Sequence, residues 1–508
     1  MDERQKRVKI NAISTLANQL VATLCGILIP WIMIDEFGSE AYGATTSIAQ
    51  FLSYISLLEG GIGRAARGEL YRPLAEGNIE HVSRVFLAVK RFFRTIGLAF
   101  LGYALILALC YYDIADVSTF TREYIFWMVV AIAIGKFAEF MGGYSNITLF
   151  NADQRQYVPN IVVIGTSVLN VLLIVTLAKT GWDLLWVKLA SSFVFVLKPV
   201  IYSIYRRKHY KLVRTRERAK LQNQWTAIGQ HFAYFVQMNI DVFILTIFAN
   251  LKYVAVYSVY HLISFSLRNI VTSLGGGMEA FFGDMIAKGE QEKLQTSYRR
   301  YKFILTIATI TLFGAAMVLI LPFVRLYTYG TTDMEYIHPL FAVIMLLGDA
   351  LYCLTIPCYN LPIAANKLKE SRMGAYGEAI LNVVVSMVLV FWNPLVGIAI
   401  GTLVAMIFKS VYLMSFSAKH ILYAKRWNMF WEYLLSSLVL VGIATIGIWL
   451  IGYIPVHDYL DWIVCGFVVV IVTGTMAMLV VRLLYPKALK STIENLGSRI
   501  LKLMKKRT

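Results

Sequence analysis

Charge is scarce in this chain. Asp, Glu, Lys and Arg make up 15% of its 508 residues, against 58% hydrophobic, and mean hydropathy is +0.63. That balance excludes an ordinary water-soluble protein of this length. Acidic residues are the rarer sign, 30 against 48 Lys and Arg, which leaves a net charge of +18. Long polar stretches are missing too, so no soluble domain is expected. Cysteine is sparse: Cys25, Cys110, Cys353, Cys358 and Cys465 lie in or at the ends of apolar runs, without zinc or redox spacing, and read as packing residues. No glycine-rich loop of the phosphate-cradling type occurs, so ATP hydrolysis by this chain is not expected.

What fills the chain is apolar runs. Fourteen reach the roughly 20 residues that a helix needs to cross a bilayer. They lie near 10 to 34, 43 to 66, 95 to 112, 123 to 149, 159 to 178, 184 to 205, 226 to 249, 254 to 280, 303 to 324, 339 to 365, 374 to 392, 395 to 416, 429 to 452 and 461 to 481. They do not alternate as barrel strands would. Of the 48 basic residues, 39 fall in the first nine residues, on alternate connections and in the tail from Arg482. By the positive-inside rule those segments and both termini are cytoplasmic. The positive charge is thus explained by loops facing an anionic leaflet, and nucleic acid is not an expected partner.

The chain also resembles itself. At an offset of 215, LLEGGIGRA from Leu57 meets TSLGGGMEA from Thr272, and Tyr42 meets Tyr257. After a three-residue gap the offset becomes 212. Gly77, Glu80 and Lys90 then meet Gly289, Glu292 and Lys302, and Leu169 and Asn170 meet Leu381 and Asn382. Six spans per copy, an even number, give the copies the same orientation. The expected fold is therefore an all-α polytopic membrane protein with 14 transmembrane helices, two parallel six-helix repeats plus two C-terminal helices. Residues 1–210 form the first lobe, 211–425 the second, 426–483 helices 13 and 14, and 484–508 an amphipathic basic tail on the inner leaflet. Parallel repeats suit a substrate site between lobes and alternating access by rocking.

Three segments carry a resemblance: the outer turn Phe37-Gly38-Ser39-Glu40-Ala41-Tyr42-Gly43, the segment Leu58-Glu59-Gly60-Gly61-Ile62-Gly63-Arg64, and the inner Glu76-Gly77-Asn78. With Asn239-Ile240-Asp241 and Val254-Ala255-Val256-Tyr257, they make the chain similar over its full length to the Wzx-like polysaccharide flippases of the multidrug, oligosaccharidyl-lipid and polysaccharide (MOP) exporter superfamily. A second glycine-tyrosine pair usual near the eighth span is replaced, with Ala255 nearby. The resemblance implies a carrier, not an enzyme, in the bacterial cytoplasmic membrane. It would move undecaprenyl-pyrophosphate-linked oligosaccharide from the inner to the outer leaflet for surface polysaccharide biosynthesis. Membrane lipids would surround it, and polysaccharide polymerase and chain-length proteins are candidate partners. A lipid II flippase and a multidrug or cation antiporter are alternatives within the superfamily. A membrane glycosyltransferase or polymerase is the more distant rival, opposed by outer loops on which Asp35-Glu36 is the one tempting acidic pair.

Charges inside spans cost at least about 2.5 to 3.5 kcal/mol each and mark pathways or internal pairs. The bases that could meet a diphosphate are Arg268, Arg64, Lys136, Lys198 and Lys409, with Arg268 first because a guanidinium can grip phosphate through two parallel hydrogen bonds. The acids that could bind a coupling sodium ion or proton, or pair with those bases, are Glu59, Glu139, Asp241 and Asp349. Lys136 and Glu139, three apart, can also neutralise each other. No other cofactor and no metal is expected. Sequence alone does not say which acid meets which base.

Overall fold

The computed structural model describes residues 3–59, 62–213, 239–451 and 456–484. From the amino end run α1 (Glu3–Phe37), α2 (Ser39–Ser53), α3 (Ile62–Glu76), α4 (Ile79–Ile114), α5 (Arg122–Ala138), α6 (Tyr144–Ala152), α7 (Tyr157–Lys179), α8 (Leu184–His209) and α9 (Asn239–Phe248). Then follow α10 (Leu251–Ser273), α11 (Met278–Ala287), α12 (Gln291–Tyr327), α13 (Pro339–Ala364), α14 (Leu368–Leu389), α15 (Pro394–Ser417), α16 (Arg426–Ile451) and α17 (Tyr459–Leu484). No strand occurs among the described residues.

Local chemistry sets several helix starts. The side chains of Asn78, Thr121, Asp183 and Asn393 accept hydrogen bonds from the backbone N–H of His81, Tyr124, Leu185 and Val396, satisfying donors that have no partner within the helix. Asn393 is followed by Pro394, whose fixed φ suits the first helical position.

Among the described residues, twelve helical stretches are long and apolar enough to cross a membrane, which makes this a multi-pass membrane protein. They correspond to twelve of the fourteen expected spans. The second, near 43 to 66, is α2 continued by a tight 3-10 turn over Tyr54–Glu59, with α3 beginning at Ile62. Of the seventh, near 226 to 249, α9 is described and the remainder lies outside the described residues, as does the tail from Leu489. The basic segment around 64 to 94 is itself mostly helical, because α3 runs on to Glu76 and α4 starts at Ile79. Apolar side chains face outward in stripes three and four residues apart: Ile13, Leu16, Leu20 and Leu24 on α1, Leu460, Val464, Phe467 and Ile471 on α17, all at least 60% exposed. In water such patches would drive aggregation; in hydrocarbon they are the expected surface.

The chain divides into two compact units, Met1–Ser258 with Gly330–Met334, and Val259–Tyr329 with Glu335–Thr508. In the first, α1 packs on α7 and α5 on α4 and α8. Here α2 runs so close to the start of α10 that a Cβ on Gly43 would lie 1.8 Å from the Leu251 carbonyl oxygen. Ser47 and Thr246 share a 2.7 Å hydrogen bond along the same seam. The Asp333 carboxylate accepts from both the N–H and the hydroxyl of Ser39, each at 2.8 Å. In the second unit α12 is flanked by α13, α16 and α17, while α15 packs on α13 and α14.

Two turns recur at the offset of 212. Gly77 and Gly289 both have φ +70°, and the following residues, Asn78 and Glu290, donate backbone hydrogen bonds to Pro73 and Met285, at 2.9 and 3.0 Å. Gln154 and Asn366 have φ +56° and +55°, and each is followed by a 2.8 Å backbone bond, Arg155 to Phe150 and Lys367 to Pro362.

Candidate functional site

Most of the expected charged residues gather into one polar cluster in each unit. In the first unit, α5 ends in a π-helical turn over Glu139–Gly143 before α6 begins, a widening of the helix that often accompanies function. Lys136 donates to the Tyr144 hydroxyl at 2.9 Å, and that hydroxyl lies 3.4 Å from Glu139 Oε2. Glu139 Oε1 faces Lys198 Nζ of α8 at 3.4 Å. Tyr144 is held by Phe93 and Phe140, whose ring centres are 5.2 Å from its own. Glu59, at the end of the 3-10 turn, lies within electrostatic range of Lys136 and Glu139, and its buried Oε1 has no hydrogen-bond partner. The direct Lys136–Glu139 pair open to a regular helix is replaced: the π turn starts at Glu139, Tyr144 stands between the two charges, and Glu139 turns to Lys198.

In the second unit Arg268 of α10 meets Asp349 of α13, Nη1 to Oδ1 at 3.0 Å, and Ser264 donates to the other carboxylate oxygen at 2.5 Å. Ser264 precedes Arg268 by one helical turn, so both project onto the same carboxylate. The guanidinium lies 4.6 Å from the Tyr352 ring centre, and Lys409 of α15 lies 5.6 Å from the same ring. Lys409 Nζ is 2.8 Å from Glu378 Oε2 of α14, in a pair whose side chains are 9% and 3% exposed. Glu378 Oε1 is buried without a hydrogen-bond partner. His261 stacks on Phe265 within electrostatic range of Arg268 and Asp349.

Two candidates remain. Asp241 of α9 accepts from Tyr257 at 2.9 Å, inside the first unit. Arg64 sits on α3, and its side chain is outside the described residues. Sequence reasoning missed Glu378, Tyr144, Tyr352 and Ser264. Glu378 was open to detection, since it lies inside the expected span 374 to 392 and a lysine buried like Lys409 needs an anion. The tyrosines and the serine carried no such signal.

Counted formally, Glu59, Lys136, Glu139 and Lys198 sum to zero, and so do Arg268, Asp349, Glu378 and Lys409. Such a group can accept an external anion by exchanging it for a carboxylate, or become cationic when one carboxylate takes up a proton. No group of acids, histidines and cysteines suited to a metal ion occurs among the described residues.

No protein-family model matches this sequence, and no curated protein does. Solved structures do match it. One is an inward-facing multidrug resistance transporter of the MATE family in the MOP superfamily, 15% identical with TM-score 0.59, covering 80% of this chain and 98% of that one. Another is the lipid II flippase MurJ in an inward closed conformation, 13% identical with TM-score 0.64, covering 92% of this chain and 98% of that one. The chain has the fold of MOP transporters. A third match is a MOP superfamily transporter from Pyrococcus furiosus, 15% identical with TM-score 0.57, covering 81% of this chain and 96% of that one.

Proposed function

We propose that this protein is a Wzx-like flippase of the MOP superfamily. It carries undecaprenyl-pyrophosphate-linked oligosaccharide repeat units from the inner to the outer leaflet of the bacterial cytoplasmic membrane by alternating access. In this reading the chain has fourteen spans and both termini inside, and it acts as a carrier with no catalytic residue. The observation that carries it is Arg268, a buried guanidinium on an apolar helix, already seated on a carboxylate that an arriving pyrophosphate could replace. The motifs around Gly43, Glu59 and Gly77 point the same way by resemblance. Surface-polysaccharide polymerase and chain-length proteins are the partners this role implies.

The formal neutrality of both clusters suggests how transport is coupled. Protonation of Glu378 or Glu59 leaves its cluster with one net positive charge, favouring the diphosphate; loss of that proton favours release. Sodium entering beside a carboxylate would act similarly.

Lipid II is the second reading, because the MurJ fold covers 92% of this chain and therefore includes more of its length than the MATE match does. Complementation separates the two: rescue of surface polysaccharide in a strain lacking its repeat-unit flippase, with no rescue of a strain lacking its lipid II flippase, is the expected result. Rescue of the lipid II strain alone would reverse the assignment. Arg268→Ala at normal expression is expected to abolish rescue; full rescue by that variant would remove Arg268 from the transport site.

A further inference from the structure

The second unit contains a cavity apart from the charged cluster described above, bounded by α12, by the π turn over Ala418–Leu422 with the link after it, and by the first turns of α16. Its volume is about 340 Å³, within the range of small-ligand pockets. The floor is an ion pair, Lys302 Nζ to Glu432 Oε2 at 2.6 Å, with the Lys302 side chain 5% exposed. Arg299 and Lys425 stand at the rim, both exposed and neither within ion-pair distance of an acid among the described residues, and Asn428 adds an amide beside them. Glu432 therefore neutralises the floor, and the rim keeps two positive charges.

The wall is fixed in place. Gln291 and Gln295, one turn apart on α12, donate to the carbonyls of Ile421 and Leu422 at 2.9 and 2.7 Å. The link then reverses at Tyr423, a non-glycine residue with φ +50°. Beside the mouth, Trp427 and Trp431 are exposed and stacked edge-on, with ring centres 5.5 Å apart. Tryptophans placed so at the end of a membrane helix mark headgroup depth. At the offset of 212 α12 corresponds to α4, while α16 falls after the expected second copy and has no counterpart in it.

We propose that this cavity binds a phosphate ester at headgroup level, with the phosphate between Arg299 and Lys425 and the Lys302–Glu432 pair beneath it. The chemistry is that of an anionic phospholipid headgroup, and a soluble phosphate ester shares it. The proposal does not depend on what the protein transports; the topology decides only which leaflet supplies the lipid.

Full-length protein in detergent, examined by native mass spectrometry with phosphatidylglycerol, phosphatidylcholine or glycerol 3-phosphate, tests it. The expected result is preferential retention of phosphatidylglycerol, weakened about thirtyfold by Arg299→Gln with Lys425→Gln, since two basic residues at headgroup depth are lost. Arg91→Gln with Arg94→Gln, on the corresponding helix of the first unit, should leave it unchanged. Both rim residues are exposed, so elution as a monodisperse peak establishes that the variant is folded. Glycerol 3-phosphate binding equally well, and lost in the same variant, assigns the site to soluble esters. No preference for phosphatidylglycerol over phosphatidylcholine without binding of glycerol 3-phosphate, or retention unchanged in the rim variant, overturns the proposal.

Discussion

The two polar clusters use the same kinds of residue under different constraint. In the first unit Lys198 and Glu139 stand 3.4 Å apart with side chains 14% and 26% exposed, and Lys136 reaches that carboxylate through a tyrosine hydroxyl. In the second, Lys409 and Glu378 close to 2.8 Å with almost no exposure, and Arg268 is held by Asp349 and bounded by an aromatic ring. A loose, partly solvated arrangement can re-pair at little cost. A dry one cannot, because separating its charges leaves each in a medium that does not solvate it. The comparison assigns adaptability to the first cluster and discrimination to the second.

Removing one carboxylate from each cluster is the strongest way to break this contrast. Glu378→Ala removes the carboxylate that Lys409 meets at 2.8 Å and is expected to destabilise the protein by about 3–5 kcal/mol. Glu139→Ala exposes lysines that can still find water or a second acid, at about 1 kcal/mol. Thermal unfolding in nanodiscs measures both, and equal losses would end the distinction. Pairing Glu378→Leu with Lys409→Met should recover most of the loss, since a well-packed apolar pair can replace a buried ionic one.

Asp349→Asn is a milder change. It keeps the shape and the Ser264 contact but removes the countercharge of Arg268, at about 2 kcal/mol of stability. Inorganic pyrophosphate should then bind more tightly than to the unaltered protein, while Glu139→Gln, which also leaves its cluster with one net positive charge but in a more solvated setting, should tighten binding less. Pyrophosphate binding that is equally unaffected by the two substitutions would mean that the second cluster is structural.

The paired turns at Gly77 and Gly289 sharpen the comparison from the opposite direction, since there the units should behave alike. Both glycines hold φ +70°, and a Cβ at either would meet nothing within 4 Å. Only backbone conformation is then at stake, and Gly77→Ala and Gly289→Ala should each cost about 1–2 kcal/mol. A marked inequality in unfolding temperature would show that the shared geometry hides different roles.

These turns also show what the sequence could and could not disclose. Their offset of 212 was legible because a positive φ favours glycine, and that preference leaves a mark in any copy. Gly43 was legible as part of a motif, though its reason, the passing Leu251 carbonyl, is a tertiary fact. The long helices were readable from hydrophobic length; the break into a 3-10 turn at Tyr54–Glu59 and the π turn at Glu139 were not, because hydropathy does not register a change of helical pitch. Charges at membrane depth were found by counting. Their pairing was not, because Arg268 and Asp349 lie 81 residues apart and many acids could have served. Glu378 lies inside an apolar run of the sequence, and only the buried Lys409 beside it in the fold gives its charge a reason.

The smallest effect at neutral pH concerns the outer turn, where the two segments related by the offset of 215 share a tyrosine, Tyr42 and Tyr257, but not the residue two before it. Glu40 accepts four hydrogen bonds, from the N–H and hydroxyl of Ser118 at 2.9 and 2.7 Å and from those of Thr119 at 2.9 and 2.6 Å. At the offset of 215 the corresponding position holds Ala255, which can make no such clasp. Burial by itself would push the Glu40 carboxyl upward; the bonds from Thr119 and Ser118 outweigh it and hold the group below the ordinary glutamate value. A carboxyl lowered on folding stabilises the structure above its unfolded value, and that contribution disappears as pH falls through the folded value. The clasp should therefore be indifferent to pH near neutrality and loosen below about pH 4. Hydrogen exchange is the direct measure: amides of residues 115 to 121 should lose protection in acid, while those of residues 251 to 258 hold theirs. Glu40→Gln should lose protection at neutral pH and respond to acid no further, because the neutral amide accepts fewer of the four bonds at every pH. If wild-type and Glu40→Gln proteins lost protection in parallel as pH fell, some other group would set the acid response of this turn, and the difference between the two related segments would have to be sought elsewhere.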